Sequence, residues 1–173
     1  MKNFFFFLFF LTILNINVSY SQTIYYADID KIIKESVPGK KIFTHFEDEQ
    51  DKFLDEVNKF QVNINKQEQE IISQKNILDQ AEYTKKINLL RKDIDVFNQK
   101  NNKKINENKL SRDKTIKSLM KEINNILKEF AEKNNIDIIL SSNQMLIGKS
   151  NLDLTNNILE IVNDKIKKIE IQK

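Results

Sequence analysis

Cysteine is absent from this chain, histidine and proline occur once each, and glycine occurs twice. Without cysteine there is no disulfide framework, so packing or self-association must hold the protein together. His45 has no second histidine or thiolate nearby in sequence to complete a metal-ligand set. No motif sets a serine nucleophile beside it either, so it reads as a surface or partly packed residue. The two glycines, Gly39 and Gly148, make no phosphate-cradling loop, which argues against nucleotide use. The acidic run EDEQD, Glu47 to Asp51, lacks the glycine and ligand spacing of a calcium loop and reads as a solvated helix face. No enzymatic activity, cofactor or metal is expected.

Long apolar runs are nearly absent as well, with one exception at the start. Phe4 to Leu14 is almost unbroken behind Lys2, and Ser19 and Ser21 stand at −3 and −1 before Gln22. This is the three-part pattern of a secretory signal peptide over residues 1–21. A membrane anchor is the alternative, but a span needs about twenty apolar residues. No second such run follows, so no further transmembrane segment is expected. The remaining chain, residues 22–173, has a single-domain length. Its formal charge falls from +3 to +2 once Lys2 leaves, a mild excess that does not by itself imply nucleic acid.

What is present is helical periodicity. TIYYADI, Thr23 to Ile29, reads as a strand. Asp28 or Asp30 can cap a short helix carrying Ile29, Ile32 and Ile33 on one face. VPGKK interrupts it, and Pro38 suits the first turn of a new helix. From Lys40 to Asn134 there is neither glycine nor proline. Apolar residues recur there at three- and four-residue steps: Phe46, Phe53, Val57, Phe60, Ile64, Ile71, Leu78 and Ala81, then Ile87, Leu90, Ile94, Phe97 and, after a gap, Ile116, Leu119, Ile123, Ile126 and Phe130. Glutamines interrupt this heptad-like seam at 50, 67 and 74. One straight helix of that length would reach about 140 Å. Two antiparallel helices, each covering the other's stripe, are the better solution. The bend falls near LDQAEYTKK, around 79–83, with Asp79 as cap and Glu82 as its capping-box partner. NNIDIIL then starts a second strand, SSNQ turns, MLIGK reads as a third strand, and Asp153 or Thr155 caps a last helix bearing Ile158, Leu159, Ile161, Val162 and Ile166. The expected protein is mainly α with a small β-body. Residues 22–39 and 135–173 form that body, and residues 40–134 are a helical hairpin inserted between its strands.

Three segments carry a family resemblance. IYYADIDKIIKESVPGKK, EYTKKINLLRKDI and NNIDIILSSNQMLIGKSNLDLTNNILEIVN resemble the Skp/OmpH family of periplasmic chaperones, and the likeness runs over essentially the whole chain after the leader. The end segments are the specific part, and the middle is generic coiled-coil-like sequence. The resemblance implies a homotrimer in which three β-bodies associate and three hairpins project like tentacles around a cavity. It implies a periplasmic, ATP-independent holdase for unfolded outer-membrane proteins.

The charges are divided between the arms. From Phe43 to Glu82 there are four Lys against ten Asp/Glu, a net of −6; from Lys85 to Lys121 there are twelve Lys/Arg against four, a net of +8. Opposite charge can fix the register of antiparallel helices, and the basic arm also offers a cationic surface to a client or to anionic lipid. With the turn centred near residue 80, Ile64 faces Phe97 and Ile71 faces Leu90. Phe60, Val57 and Phe53 then fall opposite Asn101, Lys104 and Asn108. The segment Asn98 to Lys114 has only Ile105 and Leu110 as apolar residues. Either those two and lysine stems cover the three side chains, or Phe53, Val57 and Phe60, with Lys100, Lys103 and Lys104, form a client-facing surface. In the β-body, Ile24, Tyr26, Ile136, Ile138, Leu140, Met145 and Ile147 are too dense for one small chain to cover and are the candidate oligomer core. A structural coiled-coil protein of the envelope, with arms closed into a rod and no client, is the rival reading. Nucleic acid is not an expected partner: no aromatic stacking residues stand among the lysines.

Overall fold

The computed structural model describes residues 22–172; the leader assigned to residues 1–21 lies outside the described residues. Strand β1 (Ile24–Ala27) leads into helices α1 (Ile29–Glu35), α2 (Val37–Ser73) and α3 (Gln80–Lys133), then strand β2 (Ile138–Ser141) and helix α4 (Thr155–Lys165). Two short 3-10 turns, Ser142–Gln144 and Ser150–Leu152, lie between β2 and α4. The architecture is mainly helical, with a long antiparallel hairpin rising from a small sheet, as the periodicity predicts.

Local chemistry sets the boundaries. Asp28 caps α1, its Oδ1 accepting from the Lys31 N–H at 2.8 Å. Ser36 ends α1 and starts α2: its N–H donates to the Ile32 carbonyl, and its Oγ accepts from the Gly39 N–H at 3.2 Å. The long helix therefore begins at Val37, not at Lys40. Pro38 and Gly39 belong to its first turn because the cap is the serine before them, and proline's missing N–H is no loss there. A Cβ on Gly39 would lie 1.6 Å from the Ile33 carbonyl oxygen, so the α1–α2 corner admits only hydrogen at this position. Asp79 caps α3 through the Glu82 N–H at 2.8 Å. At the far end of α3, Asn135 takes a positive φ of 53°. The Ile136 N–H returns to the Ala131 carbonyl at 2.9 Å, a Schellman closure that makes asparagine an acceptable substitute for glycine.

The two strands are parallel, with Ile24 opposite Ile138 and Ala27 opposite Ser141. Parallel neighbours need a long crossover, and here the crossover is the hairpin itself. The expected third strand is not formed. Met145–Lys149 has no ladder partner, and among the described residues the sheet has two strands. The physical reason is non-local. After β2 the 3-10 turn Ser142–Gln144 leads the chain off the sheet's edge, and Gly148 packs against the Tyr26 ring on its face. The second edge of β1 is used by the segment before α4, where the Leu154 N–H donates to the Tyr26 carbonyl at 2.8 Å and Asp153 bridges Tyr26.

The main core draws Ile32 and Ile33 from α1, Ile42 from α2, Leu119, Ile123 and Ile126 from α3, and Ile158 and Val162 from α4. The roots of the hairpin are thus packed into the body rather than standing on it. Further ties close this unit: the Asp28 N–H donates to Thr155 Oγ1 at 2.9 Å, and the Val37 N–H to Asn163 Oδ1 at 2.7 Å. A second, smaller core lies toward the turn of the hairpin, made of Ile64, Ile71 and Leu90 with Phe60, Tyr83, Ile87 and Ile94 against it.

Candidate functional site

Between the two cores the arms meet differently. On α2 the seam continues through Phe60, Val57, Phe53 and Phe46, all half-buried. On α3 the positions that face inward after Phe97 are Asn101, Lys104, Asn108, Ser111 and Thr115, a four- and three-residue repeat made entirely of polar side chains. Ile105 and Leu110 lie off that seam and are 49% and 59% exposed. A cavity of about 620 Å³ opens along this stretch, lined among others by Phe46, Phe53, Leu54, Ile105, Arg112 and Ile116. Lys104 Nζ lies 5.7 Å from the centre of the Phe53 ring and 2.8 Å from Glu56 Oε2. Arg112 sits similarly over Phe43 at 5.5 Å. Cations over ring faces are favourable but weak at exposed sites, so Phe53 is covered by a movable side chain, whereas Phe43 and Phe46 also pack against the main core and Phe60 against the outer one.

The register stays within a helical turn of the expected one, with Lys104 meeting Glu56 next to Val57 and Phe46 sharing a cavity with Ile116, but it is not uniform. Phe60 does not face Asn101; its ring stacks on Phe97, with centroids 3.6 Å apart and planes 10° from parallel. The connection spans residues 74–79, so the true turn is centred before residue 80. Ile71 and Leu90 share the outer core as expected, whereas Ile64 packs there too instead of meeting Phe97. Of the three apolar residues read as unpartnered, Phe60 has an aromatic partner, while Phe53 and Val57 stand on the polar stretch. Lys100 and Lys103 are exposed, Lys103 leaning to Glu107 at 3.8 Å.

The ion pairs of the acidic arm run along one helix. Lys52 meets Glu49 at 2.9 Å and Lys59 meets Asp55 at 2.6 Å. The hydrogen bond from Lys52 holds the Glu49 carboxyl below its ordinary range, and the same bond raises the Lys52 ammonium. Asp55 raises Lys59 in the same way. Glu56–Lys104 crosses between the arms. His45 lies edge-on to Phe46 with ring centres 5.1 Å apart. Among the described residues no group of acidic or histidine side chains could hold a metal ion.

The candidate oligomer residues fall mostly on one surface. Alternation along the strands sends Tyr25, Ala27 and Ile139 into the main core, and Ile24, Tyr26, Ile138 and Leu140 to the opposite face of the sheet. Ile24 and Ile138, directly paired, are 44% and 39% exposed. Gly148 brings the loop after β2 against this face: a Cβ there would lie 2.7 Å from the Tyr26 ring and 3.0 Å from the Met145 methyl. Leu146 and Ile147 project outward, Ile147 being 92% exposed. Ile136 is the exception, packed on the main core.

One feature gave no sequence signal. The chain after α4 folds back along α3, with Ile166 buried, Ile169 and Ile171 packed on the main core, and Gln172 bonded to Thr115 and Ser111. Its apolar alternation runs only from Lys168 to Ile171, too short to mark an element, and its partners lie some sixty positions earlier.

Comparison with known proteins places this arrangement. A family model described as outer membrane protein (OmpH-like) matches residues 23–162. The crystal structure of a candidate outer membrane chaperone (OmpH-like) from Caulobacter crescentus CB15 superposes with a TM-score of 0.81 at 11% identity, covering 89% of this chain and 91% of that one. No curated protein matches significantly. No described helix is long and apolar enough to cross a membrane.

Proposed function

The chain belongs to the OmpH-like outer membrane protein family, and from that premise we propose that it is an ATP-independent holdase acting in the periplasm on unfolded outer-membrane proteins. The observation that carries this reading is the mid-arm groove. There Phe53 and Val57 face a polar seam, with Lys104 as a movable cover over the Phe53 ring. A holdase must grip many sequences weakly at many points and release them, and adaptable apolar surface among charges suits that task. The proposed contact residues are Phe53 and Val57 with Lys100, Lys103 and Lys104, Phe60 anchoring the edge of the groove through its stack. The exposed lysines give the same surface affinity for anionic segments and for anionic lipid. The uncovered sheet face of Ile24, Tyr26, Ile138 and Leu140 supports self-association, and the assembly proposed is a homotrimer with the arms around a cavity.

The test is aggregation of an unfolded outer-membrane β-barrel protein diluted from denaturant, followed by light scattering with and without this chain. Suppression is expected at stoichiometric amounts and without nucleotide. The double variant F53S/V57S should keep its oligomeric mass yet hold the client about tenfold less tightly, roughly 1–2 kcal/mol for two half-buried apolar side chains. Scattering that proceeds unchanged beside the wild-type chain would favour a closed structural rod. An oligomer that dissociates in F53S/V57S would make these residues core.

A further inference from the structure

Past α4 the chain neither ends its packing nor forms a regular element. Lys165 pairs with Glu129, and seven residues later the peptide of Gln172 is held at both of its polar groups. Its N–H donates to Thr115 Oγ1 at 2.9 Å, and its carbonyl accepts from Ser111 Oγ. Between these anchors, α3 runs back from residue 129 to residue 115, about 21 Å at 1.5 Å per residue. Seven residues span that distance only when nearly extended, at about 3.3 Å each. After a bend at Lys167, the strap Ile166–Gln172 therefore runs antiparallel to α3 beside Glu122 and Ser118, open and without regular structure over residues 168–172. Lys41 Nζ adds a contact to the Lys167 carbonyl at 3.4 Å.

The way it is held is general rather than specific. Ser111 and Thr115 lie one helical turn apart, and Thr115 Oγ1 also donates to the Ser111 carbonyl at 2.8 Å. The two hydroxyls thus read the backbone N–H and carbonyl of one residue, which every extended segment offers. The side-chain demand is simple as well. Ile169 and Ile171 are half-buried while Lys168 and Glu170 are exposed, an alternation with period two. A strand from a membrane β-barrel carries the same alternation over a longer run, apolar on one face and polar on the other.

We propose that the groove along α3 from Ser111 to Glu122 is a binding site for extended peptide segments with alternating apolar residues, and that the strap fills it in cis. An unfolded barrel strand exchanges with the strap, so the strap sets the apparent affinity of the arm root. This rests on the holdase reading above and deepens it by naming a second contact site, the kind of segment it takes and the device that gates it.

The experiment compares the full chain with one ended after Ile166, which keeps that buried residue. A fluorescein-labelled peptide of sequence KKIEIQ and an unfolded outer-membrane β-barrel protein serve as probes. The peptide should bind the shortened chain, be displaced by the barrel protein, and bind the full chain far less. Barrel-protein affinity should rise about tenfold on removing the strap if the strap fills the groove nine-tenths of the time. Adding S111A/T115V to the shortened chain should abolish that gain. Should shortening lower the helical content, the full-length variant I169S/I171S replaces it and should show the same gain. Equal barrel affinity with and without the strap, while the full chain still suppresses aggregation, would reduce the strap to a brace and overturn the inference. Failure of every version to suppress aggregation would instead overturn the holdase reading.

Discussion

At the scale of single residues, the sharpest demand in the structure is made by an atom that is missing. Gly39 sits inside the first turn of α2 with ordinary helical dihedrals, so its value is not conformational freedom. The Ile33 carbonyl oxygen occupies the place a methyl would take, 1.6 Å from an ideal Cβ. In an open helix Gly→Ala would stabilise by removing backbone freedom from the unfolded chain. Here the α1–α2 corner must open, and with it the packing of Ile32, Ile33 and Ile42 in the main core. Gly39→Ala is expected to destabilise by about 1–3 kcal/mol, the usual range for forcing extra atoms into a packed site. Urea unfolding followed by circular dichroism checks it, and a midpoint at or above that of the wild type would contradict the clash. The caps at Asp28 and Asp79 could be read from sequence because a cap is a relation between residues three apart. The role of Gly39 could not, since the carbonyl it accommodates belongs to the preceding helix and depends on how the corner folds.

At the scale of elements, the hairpin is two packed regions joined by a polar stretch. The outer core of Ile64, Ile71 and Leu90 and the main core at the roots are separate clusters, and between them α3 offers Asn101, Lys104, Asn108 and Ser111 to the seam. The outer region should therefore open independently of the body. Asp79 allows that to be tested. Its carboxylate satisfies the Glu82 N–H, and Asp79→Ala should cost about 1 kcal/mol, as N-cap losses do. The cost should appear locally: amides of the first turns of α3 should exchange faster, while amides around Ile123 and Ile126 keep their protection. Equal loss in both regions, measured by native-state hydrogen exchange, would mean the hairpin opens as one unit. The heptad pattern, the antiparallel pairing and most of its register were legible in the sequence, but the connection was placed a few residues late and Phe60 pairs with Phe97 instead of Asn101. Periodicity gives the face of each helix and not the length of the connection: Asp79 marks where the second helix starts, but residues 74–78, with Ile77 and Leu78 among them, carry no signal that they are not helix. The third strand failed for a related reason. MLIG has the composition of a strand, yet the 3-10 turn Ser142–Gln144 and the contact of Gly148 with the distant Tyr26 ring lay it on the sheet's face and not along its edge.

At the scale of the whole molecule, one face of the sheet remains to be accounted for. A two-stranded sheet is not stable by itself; here one side is covered by Tyr25 and Ile139 against the main core, and the other is left as Ile24, Tyr26, Ile138 and Leu140. The hairpin roots already fill the inner side, and no described element of the same chain lies over the outer one apart from the loop at Gly148. Self-association through this face is the reading that leaves the fewest apolar side chains in water. The register allows it to be tested without breaking the sheet. Ile24 and Ile138 are direct partners, so I24K/I138E places opposite charges across from each other, a pairing a sheet tolerates, while removing the apolar surface. The wild-type chain should have the mass of an oligomer by light scattering on a sizing column. The double variant should fall to the mass of one chain, keep its helical circular dichroism, and lose most of its ability to hold an unfolded client, because arms on separate chains enclose no cavity. A variant that keeps the wild-type mass would move the assembly surface elsewhere on the body. A monomeric variant that still suppresses aggregation would separate client holding from assembly, and would place the grip within the groove of a single hairpin.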